Sequence, residues 1–183
     1  MEDILKKAAK IELLIFDIDG VLTDGHIYFS EHQEIFKAFH VHDGLGIKIL
    51  QNHGIQTAII TGSQSPIVRL RANYLGISHV YQVTENKIAA YEHLVEKLGL
   101  THEVIAYLGD DLPDLPLMQR VGLSIAVANA IPFVREHAHW TTTAHGGKGA
   151  AREVCDLILR GKGLLANIHN SYLECAKIKL DIE

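Results

Sequence analysis

The chain is poor in cysteine. Cys155 and Cys175 are its only two, and neither stands in a close Cys/His cluster. That count excludes a disulfide framework and gives no support to a zinc site, and two lone thiols suit a reducing cytoplasm. Long apolar runs are also missing. The longest, residues 121–134, is interrupted by Ser124, Asn129 and Pro132 and is too short to span a bilayer. The first ten residues alternate charged and apolar side chains and have no apolar signal core. Positive charge is not in excess either: 17 Lys and Arg stand against 22 Asp and Glu, for a net charge of −5. The basic residues are scattered, with no run that would follow a phosphate backbone. A soluble cytoplasmic protein with neither nucleic acid nor membrane as partner is expected.

What is present is an alternation. The 183 residues suffice for one domain with a full core, and 48% apolar and 21% charged residues are ordinary for a globular chain. Short apolar runs at 11–16, 56–60, 79–81, 104–108 and 124–127 read as buried strands. Helical patterns at 44–52, 66–75, 87–98, 114–120 and 149–160 lie between or after them, each followed closely by a glycine suited to a helix C-terminus. This predicts an α/β fold with a doubly wound, Rossmann-like parallel sheet. One segment breaks the rhythm: 26–29 and 35–41 read as two strands joined around 30–34. They predict a small β-hairpin insertion after strand 1, within about 21–42, and no cap domain. Residues 1–163 are expected to form one domain, with 164–183 a C-terminal tail or helix.

Polar residues then collect at the strand ends. Asp17 and Asp19 follow the first strand, Thr61 and Gly62 the second, Asn86 and Lys87 the third, and Asp110, Asp111 and Asp114 the fourth. In open parallel sheets the carboxyl ends of the strands border the active crevice. Core packing gives no reason for such a set, because carboxylates are seldom buried unless paired or metal-bound. Phosphoryl transfer does. Oxygen ligands that leave room for water and phosphate suit Mg²⁺, and a carboxylate nucleophile splits one hard displacement into two easier ones. A lysine offsets charge on the transferring group, and a second carboxylate two residues on can move the proton.

The residues 17-DIDGVLTDG-25, Thr61-Gly62, Lys87 and 109-GDDLPD-114 resemble the four motifs of the haloacid dehalogenase superfamily. The resemblance is closer to its capless sugar-phosphatase branch, over about 11–163, and includes Lys37-Ala-Phe, 43-DGLGI-47, Tyr81-Gln82 and 146-GGKGAARE-153. It implies a Mg²⁺-dependent phosphatase acting on a sugar-acid phosphate, 3-deoxy-D-manno-octulosonate 8-phosphate, in lipopolysaccharide precursor synthesis. Asp17 would be nucleophile and metal ligand. Asp19 would be the acid/base and would hold the metal through its backbone carbonyl, with Asp110 as third ligand. Thr61 and Lys87 would hold the phosphate, and Asp111 or Asp114 would orient the lysine and metal waters. His40, Val41, His42, Asp43, Gly44 and Lys48, with Ser63 and Arg71, match positions where the family grips substrate. The hairpin implies a homo-oligomer, a tetramer in such proteins, with the 146–152 stretch reaching toward an adjacent site.

The chain departs from the family pattern in three places. Ser63 and His42 stand where arginine is usual, and Val83 where glycine commonly follows Tyr-Gln. Neither serine nor neutral histidine copies the two-pronged grip of arginine on a carboxylate. The departures therefore bear on the sugar-acid end of the substrate rather than on the phosphate. A related nine-carbon sugar-acid phosphate, or a broad range of sugar phosphates, is the alternative within enzymes. Outside them, a phospho-acceptor signalling domain also clusters aspartates, a threonine and a lysine, but it lacks an acid/base two residues beyond the acceptor. Among the 12 histidines, His40 and His42 alternate about Val41 and read as one face of an extended segment, suited to substrate more than to metal. The glycine run at 146–149 reads as a flexible turn before the last helix.

Overall fold

The computed structural model describes residues 1–31, 34–83 and 86–175. In chain order these form α1 (Glu2–Lys10), β1 (Leu13–Phe16), β2 (Tyr28–Phe29), β3 (Glu34–Phe36), α2 (Val41–Asn52), β4 (Gln56–Thr61), α3 (Pro66–Leu75) and β5 (His79–Gln82). There follow α4 (Lys87–Leu98), β6 (Ile105–Gly109), α5 (Leu115–Met118), β7 (Leu123–Ala126), α6 (Pro132–His137), β8 (Trp140–Thr141), α7 (Ala150–Gly161) and α8 (Leu165–Cys175). Six strands pair in the order β5-β4-β1-β6-β7-β8, and every pairing is parallel. The predicted α/β doubly wound sheet is what forms. Of the apolar runs read as doubly buried strands, β1, β6 and β7 are buried throughout and β4 is buried after Gln56, whereas β5, at the sheet edge, is only half-buried. Gly76 and Gly99 close α3 and α4 with φ of 73° and 64°, the left-handed turn that only glycine adopts without strain. No helix of the described residues is long and apolar enough to cross a membrane.

β1 is central. From it the chain moves outward through β4 and β5, then returns to the other side of β1 for β6, β7 and β8. The reversal puts a topological switch between β1 and β6, where side chains leaving both strands face a common crevice.

Several boundaries differ from the sequence reading. β2 and β3 pair antiparallel as a short hairpin, Tyr28 opposite Phe36, but the second strand ends at Phe36 and α2 starts at Val41. The extended reading of 35–41 therefore stops short. His40 keeps an extended backbone as the residue preceding α2, and Gly44 N–H donates to its carbonyl. His40 and His42 thus do not alternate along a strand; their rings meet edge to face at 4.8 Å. Part of the expected hairpin turn, 32 and 33, and the end of the expected C-terminal tail, 176–183, lie outside the described residues; α8 occupies 165–175. Three elements were not anticipated: α1, α6 and the two-residue β8. α1 buries Ala8 and passes so close to α7 that a side chain at Gly161 would meet its backbone.

Candidate active site

Asp17 continues β1 by one residue, donating its N–H to the Leu108 carbonyl of β6 at 3.1 Å. The loop that follows is drawn tight by Thr23. Its hydroxyl accepts from the N–H groups of Gly20 and Gly25 at 3.2 and 3.3 Å and donates to the Ile18 carbonyl at 3.4 Å. Gly20 takes φ of 83°, and a Cβ there would overlap the Asp110 carboxylate. The absence of a side chain is what lets the loop after β1 and the loop after β6 close on each other. Across this loop lies the Gly146–Gly147 turn, which donates to Asn129 Oδ1 and the Val21 carbonyl at 2.8 and 2.9 Å. A side chain at Gly146 would collide with the Gly20 carbonyl, so this stretch packs backbone to backbone on its own chain's loop instead of serving as a loose turn.

Asp114 organises the β6 side. Its Oδ2 accepts from the backbone N–H groups of Asp110 and Asp111 at 2.9 and 3.2 Å. Its Oδ1 accepts from the Tyr107 hydroxyl at 2.6 Å and from Lys87 Nζ at 2.7 Å. With four donors, this buried carboxylate has little capacity left. Asp111 spends its own carboxylate on the N-terminus of the 3₁₀ turn at Leu112–Asp114, through the Leu112 N–H. Tyr107 is fully buried on β6; burial, with Asp114 beside it, holds its hydroxyl proton well above the ordinary tyrosine range, so it stays a donor.

Lys87, the first residue of α4, reaches both acidic loops. Its Nζ lies 2.7 Å from Asp114 Oδ1 and 3.1 Å from Asp17 Oδ1. The second approach is off the hydrogen-bond direction, and Asp17 Oδ1 is buried without a hydrogen-bond partner. Burial pulls the Lys87 ammonium down, but the Asp17 and Asp114 charges outweigh it and hold the group above the ordinary lysine value. For the carboxylates burial works the other way. It raises Asp17 to about 6, with the Asp114 charge adding and Lys87 opposing. It raises Asp110 to about 8, with Asp114 and Asp17 adding.

These strained anions call for a cation. Ligand oxygens of Asp17, Asp110 and Asp114 lie within 4.8 Å of one another, and Asp17 presents an orphaned buried oxygen to the group. Asp114 is already saturated, which leaves Asp17 and Asp110 as the carboxylates able to bind directly. An all-oxygen set of this kind fits magnesium.

The rest of the rim is polar. Thr61 ends β4 nearly fully buried, its hydroxyl accepting the Ser63 N–H at 3.2 Å. Gln82, at the end of β5, donates to the carbonyls of Ser63 and Ser65 at 2.9 Å each and so fixes the loop after Thr61. Asp19 is held from the hairpin side by Lys37, Nζ to Oδ1 2.6 Å. Thr61, Ser63, Asp19 and Lys37, with the acidic loops and Lys87, border a cleft of about 890 Å³, with Ile27 and Phe29 of the hairpin segment as one wall.

Of the residues singled out from the sequence, Asp17, Asp19, Thr61, Ser63, Lys87, Asp110, Asp111 and Asp114 line this one cleft. His40, Val41, His42, Asp43, Gly44, Lys48 and Arg71 do not line it. Asp43 is buried and accepts the Arg152 N–H of α7 at 2.8 Å. Arg71 donates to the His40 carbonyl at 3.4 Å and stacks over Phe39 and Tyr74. A side chain at Gly44 would strike that guanidinium, and Lys48 lies over the Tyr74 ring at 4.4 Å. Within one chain this cluster joins α2, α3 and α7. Tyr107, Gln82 and Lys37 were given no role from the sequence. Tyr107 sits inside an apolar strand and carried no signal; Lys37 did, as a lone charge in the otherwise apolar run 35–39.

Comparison with known proteins agrees with this geometry. Residues 69–154 match the family model of haloacid dehalogenase-like hydrolases. The 3-deoxy-D-manno-octulosonate 8-phosphate phosphatase KdsC of Escherichia coli K12 is 49% identical over 163 residues, 89% of this chain and 87% of that protein. The crystal structure of a probable YrbI family phosphatase from Pseudomonas syringae superposes with a TM-score of 0.92 at 52% identity, covering 94% of this chain and 98% of that one. A 3-deoxy-D-manno-octulosonate 8-phosphate phosphatase from Moraxella catarrhalis, solved with magnesium, phosphate and KDO, gives a TM-score of 0.91 at 42% identity over 94% and 99% of the two chains. The chain belongs to the 3-deoxy-D-manno-octulosonate 8-phosphate phosphatase family of the haloacid dehalogenase-like hydrolases.

Proposed function

We propose that this protein is a magnesium-dependent phosphatase that hydrolyses 3-deoxy-D-manno-octulosonate 8-phosphate to KDO and phosphate, with Asp17 as nucleophile. The observation that carries the reading is the convergence of the Asp17, Asp110 and Asp114 carboxylates, with Lys87, at the floor of a polar cleft. Three carboxylates gathered around one ammonium are costly to keep and are useful toward a further cation or an electrophile.

Magnesium held by Asp17, Asp110 and the Asp19 carbonyl would offset negative charge on the phosphate and keep Asp17 ionised. Asp17 attacks phosphorus while Thr61 and Lys87 hold the phosphate oxygens. Asp19 gives its proton to the departing sugar oxygen. The bond from phosphorus to that oxygen breaks and an aspartyl-phosphate forms. Asp19, now a carboxylate, takes a proton from water, which attacks phosphorus and releases phosphate, restoring Asp17. Asp114, with Tyr107, keeps Lys87 aimed at the phosphate site, and Asp111 stabilises the turn that carries Asp114.

Ser63, on the rim after Thr61, is the residue we assign to the sugar side of the substrate. His40, Val41, His42, Asp43, Gly44, Lys48 and Arg71 keep a substrate role only if assembly brings this face to another subunit's cleft. A homotetramer in which the hairpin meets neighbouring chains is part of the proposal, supported by the exposure of Phe29 at 69% and Ile27 at 54%. So is a single catalytic domain over 1–163 with 164–183 appended. A sugar-acid phosphate carries a carboxylate and a phosphate monoester, more than two negative charges near neutral pH, and does not cross a bilayer unaided; we place the enzyme with it in the cytoplasm.

The test is phosphate release with Mg²⁺ from 3-deoxy-D-manno-octulosonate 8-phosphate, a nine-carbon sugar-acid phosphate and simple sugar phosphates. The eight-carbon ester should give the highest kcat/KM, and Asp17→Asn should lower its turnover by about a thousandfold or more with the fold intact. Retained turnover in that variant refutes the mechanism; a poor rank for the eight-carbon ester refutes the substrate.

A further inference from the structure

We propose that Lys37 is a positioning residue for proton transfer: from the base of the hairpin it fixes the Asp19 carboxylate by one oxygen, leaving the other to exchange the proton with the leaving group and with water.

The Lys37 side chain is 2% exposed, and an ammonium so placed is unfavourable unless it is well paired. Packing alone would be served by methionine or leucine. The contact with Asp19 Oδ1 is short, 2.6 Å, as charge-assisted bonds are. Asp19, by contrast, has a side chain 30% exposed on the cleft wall. Proton transfer needs the donor oxygen within about 3 Å of the oxygen that receives the proton, and a freely rotating carboxylate meets that condition only part of the time.

The other lysine of the site does not do this work. Lys87 is committed to Asp114 and Asp17, so each aspartate of the Asp-x-Asp pair has its own ammonium, one from α4 and one from the hairpin. Lys37 directly follows β3 after Phe36, whose ring stacks on Tyr28 at 4.4 Å across the hairpin. The placement of the acid/base is thereby tied to that of the hairpin.

The inference rests on reading Asp19 as acid/base, and the experiment separates the two. For wild type, Lys37→Met and Asp19→Asn, kcat/KM is measured with Mg²⁺ for phenyl phosphate and p-nitrophenyl phosphate. Nitrophenolate departs with little need of a proton and phenolate needs one more, while neither carries a sugar for the cleft to grip. The ratio of the two values within one variant does not depend on how much of that variant is folded. Loss of proton donation should lower the phenyl to p-nitrophenyl ratio by about threefold or more in both variants. A ratio lowered by Asp19→Asn but not by Lys37→Met overturns the role of Lys37. A ratio moved by neither overturns Asp19 as the acid, and this proposal with it.

Discussion

At the scale of single residues, the site is governed by the cost of collecting carboxylates. Asp17, Asp110 and Asp114 converge within 4.8 Å, and Asp114 alone is satisfied by protein donors. Gly20 is the small residue that permits this approach. Gly20→Ala would force a side chain into the left-handed region, costing about 1–2 kcal/mol, and would push the Asp110 carboxylate aside. The Mg²⁺ concentration for half-maximal activity should rise by about tenfold or more, read from Mg²⁺ titrations of phosphate release. The melting temperature of the metal-free protein should fall by only a few degrees.

The elements show how the site is carried and how it is left open. Strand ends of β1, β4 and β6 and the first residue of α4 supply the polar groups of the cleft; the hairpin supplies Lys37 and an apolar wall. Phe29 is 69% and Phe36 47% exposed, a large apolar surface for so short an element. Covered by neighbouring subunits it would be buried. Phe29→Glu should therefore shift the sedimentation coefficient from that of a tetramer toward smaller species, with activity falling alongside. A wild-type protein that sediments as a fully active monomer at nanomolar concentration would refute the assembly. The α2–α3–α7 cluster shows the opposite case. Asp43 and Arg71 were expected at the substrate, yet Asp43 serves the N-terminus of α7, where a carboxylate stabilises the unpaired N–H groups and the helix dipole.

For the whole molecule, the consequence is linkage between protons, metal and stability. Burial and neighbouring carboxylates raise Asp110 to about 8 in the folded state. At this group the folded protein then binds more protons than the unfolded chain, so the contribution of Asp110 to metal-free stability is fully present below the unfolded carboxylate range and is lost as pH rises through about 8. Thermal unfolding in EDTA from about pH 7.5 to 9, above the ordinary histidine range, should show this decline, and Asp110→Asn should flatten it. Saturating Mg²⁺ should raise the wild-type melting temperature by roughly 5–10 °C at a hundred times its dissociation constant, with little gain in Asp110→Asn. A flat metal-free profile in wild type would contradict the shift assigned to Asp110.

Apolar periodicity by itself determined the parallel sheet, because strands buried on both faces must be continuously apolar, and it placed four sets of polar residues at the ends of those strands. Asp17, Asp19, Thr61, Lys87 and Asp110 were legible for that reason: chemistry at a strand end has no packing explanation to compete with it. Short elements such as β8 and α6 were not legible, since a few residues carry no period. Nor could the sequence distinguish an extended 35–41 from a strand that stops at Phe36 and a helix that starts at Val41; Asp43 meeting the end of α7, more than a hundred residues away, decided that. Only the tertiary structure sorted the two lysines and four loop aspartates: Lys87 with Asp114 and Asp17, Lys37 with Asp19, and Asp110 gathered beside Asp17 and Asp114. Which charge neutralises which depends on distances of a few ångströms across the crevice, and spacing along a chain does not encode them.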